Sequence, residues 1–239
     1  MNRNYLAIIL AAGRGSRLDY NGPKALFEIN NVPLIQYLYN SVNNVGSIDL
    51  LTVVGYKKNS LIKYIKNKSL YVVQDEQLGT AHAVNQCIEY IKKYKYTFIF
   101  VGDAPFISES YISNMIEHHE QQNSDCTFLY SKFPINLPYG RLIFNNENRL
   151  LRLVEFHHAN NQEIEIDSYF TSQYLFNSST LIEVLKKINP DIMTGEFNLT
   201  DSLNLLINQG SIVSPFFIKN YKNLIGINSM EDFNYVMKK

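Results

Sequence analysis

The sequence predicts an α/β protein: a mostly parallel sheet with helices on both faces, joined to a smaller mixed α+β part. Short apolar runs alternate with helical patterns through the first half of the 239 residues. After about residue 125, short strand-like runs separated by Asn- and Pro-rich turns take over. Apolar residues make up 46% of the chain and charged residues 18%, the balance of a chain that folds around a core.

Strands are expected over 6–10, 51–54, 70–73 and 98–101, all rich in Ile, Val, Leu, Phe or Tyr. A helix is expected over 33–43, where Pro33 suits a first helical position and Leu34, Tyr37 and Leu38 share a face. Further helices are expected over 60–66, 80–93 and 108–122. Strand–helix–strand alternation of this kind makes neighbouring strands parallel and covers both faces of their sheet. The second half reads as strands over 127–133, 141–144, 150–156 and 172–176, then helices over 179–188 and 200–209. A strand over 212–218 and a helix over 230–237 close it. No Gly/Ser/Pro linker, internal repeat or hexapeptide period interrupts the chain. Residues 1–239 therefore read as one domain with halves 1–125 and 126–239.

Lys and Arg total 22 against 22 Asp and Glu, so nothing points to a nucleic-acid or anionic-membrane partner. No apolar run reaches the ~18 residues of a membrane span. The opening MNRNYLAIILAAGRG has a short apolar core like a signal peptide, but it passes straight into a glycine-rich loop and reads as a first strand. Cys87 and Cys126 have no CxxC or Cys/His spacing for zinc and read as small buried apolar residues in a reducing compartment. A cytoplasmic location is the expectation.

The strongest local signal is Leu10-Ala11-Ala12-Gly13-Arg14-Gly15-Ser16-Arg17-Leu18, followed by Pro23-Lys24. A glycine-rich turn at a strand's carboxyl end can aim several backbone N–H groups at a phosphate, while Arg14, Arg17 and Lys24 add positive charge. It is not a P-loop, which needs GxxxxGK[ST], and Leu18 stands where a dinucleotide fingerprint needs its third glycine. An ordinary turn with solvated cations is the competing reading; Lys24 behind a proline weighs against it.

Six further segments follow in order: Gln77-Leu78-Gly79-Thr80-Ala81-His82-Ala83, Gly102-Asp103-Ala104-Pro105, Tyr139-Gly140-Arg141, Val154-Glu155, Gly195-Glu196-Phe197-Asn198-Leu199-Thr200-Asp201 and Gly226-Ile227-Asn228. With the glycine-rich loop they resemble the sugar-nucleotide pyrophosphorylase (nucleotidyltransferase) family. The likeness is greatest to the N-terminal domain of the bacterial N-acetylglucosamine-1-phosphate uridylyltransferases, the GlmU family. The resemblance runs from Leu6 to Asn228.

It implies a Rossmann-like (GT-A-like) fold. It also implies a reaction in which an acceptor phosphate attacks the α-phosphorus of an NTP and pyrophosphate leaves. Both reactants are anions, so screening and alignment carry the catalysis, and no covalent nucleophile is needed. By resemblance, Asp103 and Asn228 hold Mg²⁺, and Arg14, Arg17, Lys24 and Asp103 form the catalytic set. Leu10, Ala11, Ala12, Gly13, Gln74, Gly79 and Thr80 bind the nucleotide; Gly140, Glu155, His157, Phe170 and Thr200 face the acceptor. Asp103 could otherwise be a turn former before Ala104-Pro105, Thr80 a helix cap, and Glu155 a surface charge. A Gln amide suits a pyrimidine edge; the resemblance favours UTP, with CTP open.

Two departures fall on the acceptor side. The family's Glu-x-Lys-Asp reads Glu155-Phe156-His157-His158, and its Asn-Thr-Gly reads Phe170-Thr171-Ser172. Losing a polar partner in a site built for hydroxyl groups suggests a different acceptor. A strand carrying His157 and His158 would send them to opposite faces, so at most one enters the pocket. His82, His118 and His119 read as packing or solvated residues on helices.

The default substrates are UTP and a hexosamine 1-phosphate such as N-acetylglucosamine 1-phosphate. The alternative is CTP with a phosphorylated non-hexosamine group of capsule polysaccharide. With no acetyltransferase β-helix before Lys239, acetyl-CoA chemistry is not expected. A glycosyltransferase would normally show Asp-x-Asp where Gly102-Asp103-Ala104 stands. A non-catalytic nucleotide sensor would bind NTP without releasing pyrophosphate. The expected partners are therefore an NTP and a phosphorylated small molecule, with self-association open.

Overall fold

The computed structural model describes residues 4–238 apart from positions 16 and 19, so Ser16 of the glycine-rich motif lies outside the described residues. The chain opens with β1 (Tyr5–Ala11), a hairpin of β2 (Glu28–Ile29) and β3 (Val32–Pro33), and α1 (Leu34–Val45). Then come β4 (Ile48–Val54), α2 (Lys58–Ile65), β5 (Leu70–Val73), α3 (Thr80–Asn85), α4 (Ile88–Ile91), β6 (Tyr96–Val101) and α5 (Glu109–Gln121). The second half adds β7 (Cys126–Lys132), β8 (Arg141–Phe144), β9 (Leu150–Val154), α6 (Asn161–Ile164) and β10 (Ser168–Asn177). It closes with α7 (Ser178–Leu185), α8 (Asp201–Asn208), β11 (Val213–Phe217) and α9 (Met230–Met237).

A nine-stranded sheet runs β11-β7-β10-β6-β1-β4-β5, with β8 hung from β10 and β9 from β8. β1 lies parallel between β4 and β6, and β4 parallel to β5. β10 is antiparallel to both β6 and β7 and so stitches the two halves into one sheet. This is the expected mostly parallel α/β architecture.

The alternation of β1 explains why both faces are covered. Ala7, Ile9 and Ala11 join the core under α1 and α5, with Leu38, Val42, Ile112 and Met115. Leu6 and Ile8 point the other way, onto Val84, Ile91, Leu181 and Leu203 of the helices opposite. Each such fully buried Leu, Ile or Val stabilises by about 1.5–3 kcal/mol relative to exposure. The buried residues Leu34, Ile35, Leu38, Tyr39 and Val42 form one face of α1, and Gly46 ends it at φ 71°.

Several boundaries differ from expectation. The helix expected over 80–93 breaks into α3 and α4 at Cys87, which leaves helical geometry at φ −99°, ψ 2°. The strand expected over 172–176 begins earlier, at Ser168, because it bulges between Phe170 and Tyr174 and recovers its pairing beyond. The strand expected over 150–156 stops at Val154; residues Phe156–His158 form a 3₁₀ turn, so strand alternation does not separate His157 from His158. The β2–β3 hairpin is an addition to the expected elements. It turns on Asn30 and Asn31, at φ 50° and 63°, the pair of left-handed residues that tight hairpins favour.

Candidate active site

The carboxyl ends of β1, β5 and β6 open onto a cavity of about 360 Å³, where ligands bind in open α/β sheets. The loop after β1 is pinned on both sides: Gly102 N–H donates to Leu10 O at 2.9 Å, and Tyr56 N–H donates to Ala12 O at 2.9 Å. Its two glycines answer to different demands. Gly15 has φ +61°, and a Cβ there would sit 2.7 Å from Lys24 Cβ, so the fold itself requires it. Gly13 has no positive φ, and a Cβ there would meet nothing within 4 Å, yet the residue lines the cavity. Its missing side chain leaves room for a ligand's close approach rather than for protein.

Lys24 lies in a 3₁₀ turn directly after Pro23, and its ammonium pairs with the Asp103 carboxylate and donates to Asn228 Oδ1 at 2.6 Å. Arg17 reaches the same Asn228 oxygen at 3.4 Å. Both acceptors are fixed by long-range contacts. Ile227 N–H donates to Asp103 O at 2.9 Å, and the Asn228 and Ser229 N–H groups donate to Asp232 Oδ2 in the capping box of α9. A Cβ on Gly226 would lie 2.9 Å from Asp103 Oδ1, so this glycine clears the carboxylate. Gly226 N–H donates to the Tyr139 hydroxyl at 3.0 Å; burial and nearby Asp103 push that phenol's pKa up, which keeps it protonated. Arg14 does not line the cavity: it sits exposed, 5.8 Å from the Tyr56 ring centroid.

At the end of the cavity formed by residues 74–80, two sequence-distant motifs are laced together. Phe197 N–H donates to Leu78 O, Ala81 N–H to Phe197 O, and Leu199 N–H to Thr80 Oγ1, each at 2.8 Å. Gly79, not Thr80, holds the cap position of α3, and the Thr80 hydroxyl serves the facing segment instead. At φ 102°, with a would-be Cβ 2.5 Å from Phe197 O, Gly79 permits this approach. Gln74, buried, lines the cavity beside Gly79 and Thr80. Gln77 and Glu196 also line it, two residues of the 77–83 and 195–201 motifs to which sequence reasoning gave no role.

A second cavity of about 220 Å³ shares Arg17, Val101, Asp103 and Asn228 with the first and continues to Tyr139, Gly140, Glu155 and Phe170. A smaller one of about 130 Å³ brings Thr200 and Ser172 to Glu155. The Glu155 carboxylate has no hydrogen-bond or ion-pair partner among the described residues, while burial and Glu155 together push the neighbouring Asp201 up. Phe170 is 2% exposed, its N–H donating to Gly140 O at 3.0 Å and its ring 5.3 Å from Phe128. His157 is exposed on its 3₁₀ turn and lines none of these cavities. Its neighbour His158 donates from Nε2 to Asp191 at 2.6 Å, which with the Thr194 and Met193 N–H groups lowers that carboxyl to about 2.

Sequence reasoning missed two buried supports. Arg141 is fully buried and donates to the carbonyls of Leu137, Tyr139 and Ile164 and to Asn136 Oδ1, with its guanidinium 4.0 Å over Tyr169. It thereby shapes the loop carrying Gly140. Gln173, in the β10 bulge, accepts the Val101 N–H through Oε1, and its Nε2 has no partner among the described residues. Only the register of β10 against β6 reveals that placement. Cys87 and Cys126 are buried as expected, and burial pushes the Cys87 thiol up to about 12. His119 is packed against Thr127 and His118 against Phe216.

Fold and cleft together define a nucleotidyltransferase. The chain belongs to the family of the MobA-like NTP transferase domain, whose model matches residues 7–165. It is 34% identical over 224 residues to the bifunctional protein GlmU of Acetivibrio thermocellus, and 34% identical over 223 residues to that of Staphylococcus epidermidis. Each alignment covers 93% of this chain and 49% of the relative, so the chain spans about half the length of these curated relatives. The crystal structure of a putative glucose-1-phosphate thymidylyltransferase from Bacillus anthracis, in complex with sucrose, has the same fold. Its TM-score is 0.79 at 19% identity, with 97% of this chain and 93% of that one covered.

Among the described residues no group of three or more His, Cys, Asp or Glu is placed to hold a metal ion. The donor set nevertheless fits a hard cation: the oxygens of Asp103 and Asn228 already converge on one positive charge, the Lys24 ammonium. Substrate phosphate oxygens would complete such a shell.

Proposed function

We propose that this protein is a Mg²⁺-dependent pyrophosphorylase that joins an NTP, by default UTP, to a phosphorylated acceptor, by default a hexosamine 1-phosphate such as N-acetylglucosamine 1-phosphate. The product is a nucleotide-activated precursor of cell-surface glycan. The observation that carries the reading is the meeting of two cavities at Arg17, Asp103 and Asn228, with Lys24 at their junction.

In this reading the nucleotide occupies the larger cavity, lined mainly from the half 1–125, and the acceptor the smaller ones, lined mainly from the half 126–239. An acceptor phosphate oxygen forms a bond to the α-phosphorus while the bond to the β-phosphate breaks, and pyrophosphate leaves with that electron pair. Mg²⁺, when bound, would be held by Asp103 and Asn228 and would lessen the repulsion between the two anionic reactants. Lys24 and Arg17 neutralise charge on the phosphates, Arg through its fork and Lys as a point charge; Arg14 stands at the rim, where it can meet the outer phosphates. The Gly13 backbone approaches the phosphates, and Gln74 and Gly79 meet the base. Gly140, Glu155 and Thr200 hold the acceptor's hydroxyl groups. Both substrates are soluble metabolites, so the reading puts the enzyme in the cytoplasm. No helix among the described residues is long and apolar enough to cross a membrane.

A second reading keeps the chemistry and exchanges the substrates for CTP and a phosphorylated non-hexosamine acceptor. It rests on Phe170, which lines the acceptor cavity where the family pattern has Asn. Pyrophosphate release from a matrix of NTPs and phosphorylated acceptors decides between them. Turnover restricted to UTP and N-acetylglucosamine 1-phosphate eliminates the second, and NTP binding without release under any pairing eliminates both.

A further inference from the structure

The base end of the larger cavity contains a hydrogen-bond relay. Gln74 is 3% exposed, and its amide nitrogen lies 3.1 Å from Gly79 O and 3.0 Å from His82 Nδ1. A carbonyl oxygen only accepts, so the Gln74 group facing Gly79 is the NH₂. Its second N–H then meets His82 Nδ1, which must accept, leaving the ring proton on Nε2. Gln86 is exposed, and its amide nitrogen lies 3.1 Å from that Nε2 and 3.3 Å from His82 O; with the ring proton on Nε2, it is this solvent-facing amide that turns away. The Gly79 carbonyl is itself fixed, because that glycine is wedged against the Phe197 backbone. With both N–H groups committed, Oε1 is what the Gln74 amide has left for the cavity that the residue lines.

We infer that His82 is a positioning residue that holds Gln74 as a hydrogen-bond acceptor toward N3 of the nucleobase. The site thereby selects a pyrimidine with a hydrogen on N3, uracil or thymine, over cytosine. Cytosine presents a lone pair at N3, which would face the Gln74 oxygen. The inference rests on the reading of this cavity as the NTP site and adds to it the group that orients the base reader. Without His82 one of the two restraints on the amide disappears, and a half-turn that swaps its oxygen and nitrogen becomes accessible.

The test measures pyrophosphate release and, by calorimetry, nucleotide binding with UTP, 5-methyl-UTP, CTP and N3-methyl-UTP, for the wild type, His82→Phe and His82→Asn. The wild type is expected to accept UTP and 5-methyl-UTP and to discriminate against CTP and N3-methyl-UTP, a comparison that needs no variant. His82→Phe should raise KM for UTP about fivefold, the worth of one hydrogen bond, and narrow the UTP-to-CTP ratio by a similar factor. The acceptor's KM should not move, and His82→Asn, whose oxygen can accept in place of Nδ1, should recover the preference. A wild type that favours CTP, or an unchanged UTP-to-CTP ratio in His82→Phe, overturns the inference. Binding in the order UTP over CTP without any pyrophosphate release would instead defeat the catalytic reading and leave the role of His82 standing.

Discussion

On the proposed assignment, the nucleotide side of the cleft leans on backbone geometry, and the acceptor side leans on side chains. Around the larger cavity the chain relies on Gly13, Gly15 and Gly79, on strand ends, and on the lacing of residues 78–81 to 197–199. Around the smaller cavities it relies on Glu155, Phe170 and Thr200, set on a short turn, a bulged strand and the start of α8, beside the Gly140 loop shaped by Arg141. A triphosphate is common to every NTP, so a backbone cradle serves whatever the acceptor. Side chains lining a pocket can be exchanged without rebuilding the fold. Of the departures from the family pattern, Phe170 lies on the side where exchange is cheap, and His157 lines none of these cavities.

The junction belongs to both sides, and breaking it should have the largest effect. Asp103→Ala is expected to lower kcat/KM by about 10²–10³-fold, the usual cost of removing one preorganised electrostatic group. Lys24→Met should be comparably inactive yet bind Mn²⁺ more tightly than the wild type without nucleotide, because the ammonium no longer competes for Asp103 and Asn228. Calorimetry checks this; unchanged Mn²⁺ affinity would detach the cation site from Lys24.

Gly13 and Gly15 sharpen the contrast within a single loop. Gly13→Ala adds a methyl group where no protein atom lies within 4 Å, so thermal stability should hold while KM for the NTP rises about tenfold or more. Gly15→Ala should destabilise by about 1–2 kcal/mol, because φ +61° and the contact with Lys24 both oppose a side chain. Melting curves read beside NTP titrations separate the two. Equal destabilisation would mean that Gly13 serves the fold rather than a ligand.

On the acceptor side, Glu155→Gln keeps the shape and removes the charge. With no protein partner among the described residues to be orphaned, stability should not fall. KM for the acceptor should rise about 10-fold, at the scale of one charged hydrogen bond, with KM for the NTP unchanged. A rise in both constants would erase the boundary between the two sides.

The same division explains what the residues disclose in one dimension. Gly13, Asp103 and Gln74 sit at strand ends and glycine turns, whose conformational demands are local, and the structure puts each at the cavity. The Asn30-Asn31 turn is equally local, with Ile29 before it and Val32 after it, yet its hairpin is not among the expected elements. The bulge of β10, the burial of Arg141, the break at Cys87 and the relay from His82 to Gln74 depend on partners far along the chain or on packing against other elements. No local spacing encodes those. His157 shows the cost: a strand ending two residues earlier than expected moves it from a pocket wall to an exposed turn.

The smallest expected effect concerns how the acceptor side is tethered. Asp191 accepts from His158 Nε2 and from the N–H groups of Met193 and Thr194, and these contacts lower its pKa to about 2 from the ordinary carboxylate value. The folded form holds the proton less tightly than the unfolded chain. The contribution to stability is therefore complete above about pH 4, the unfolded value, and is lost as pH falls through about 2. Asp191→Asn should melt slightly below the wild type at neutral pH, with the gap closing below pH 4. Because the contact ties the loop at 191–196 to the turn that follows Glu155, the same variant should weaken the acceptor more than the NTP. A gap that persists at pH 2 would show that hydrogen bonding by the neutral side chain, not the charge, holds the two loops together.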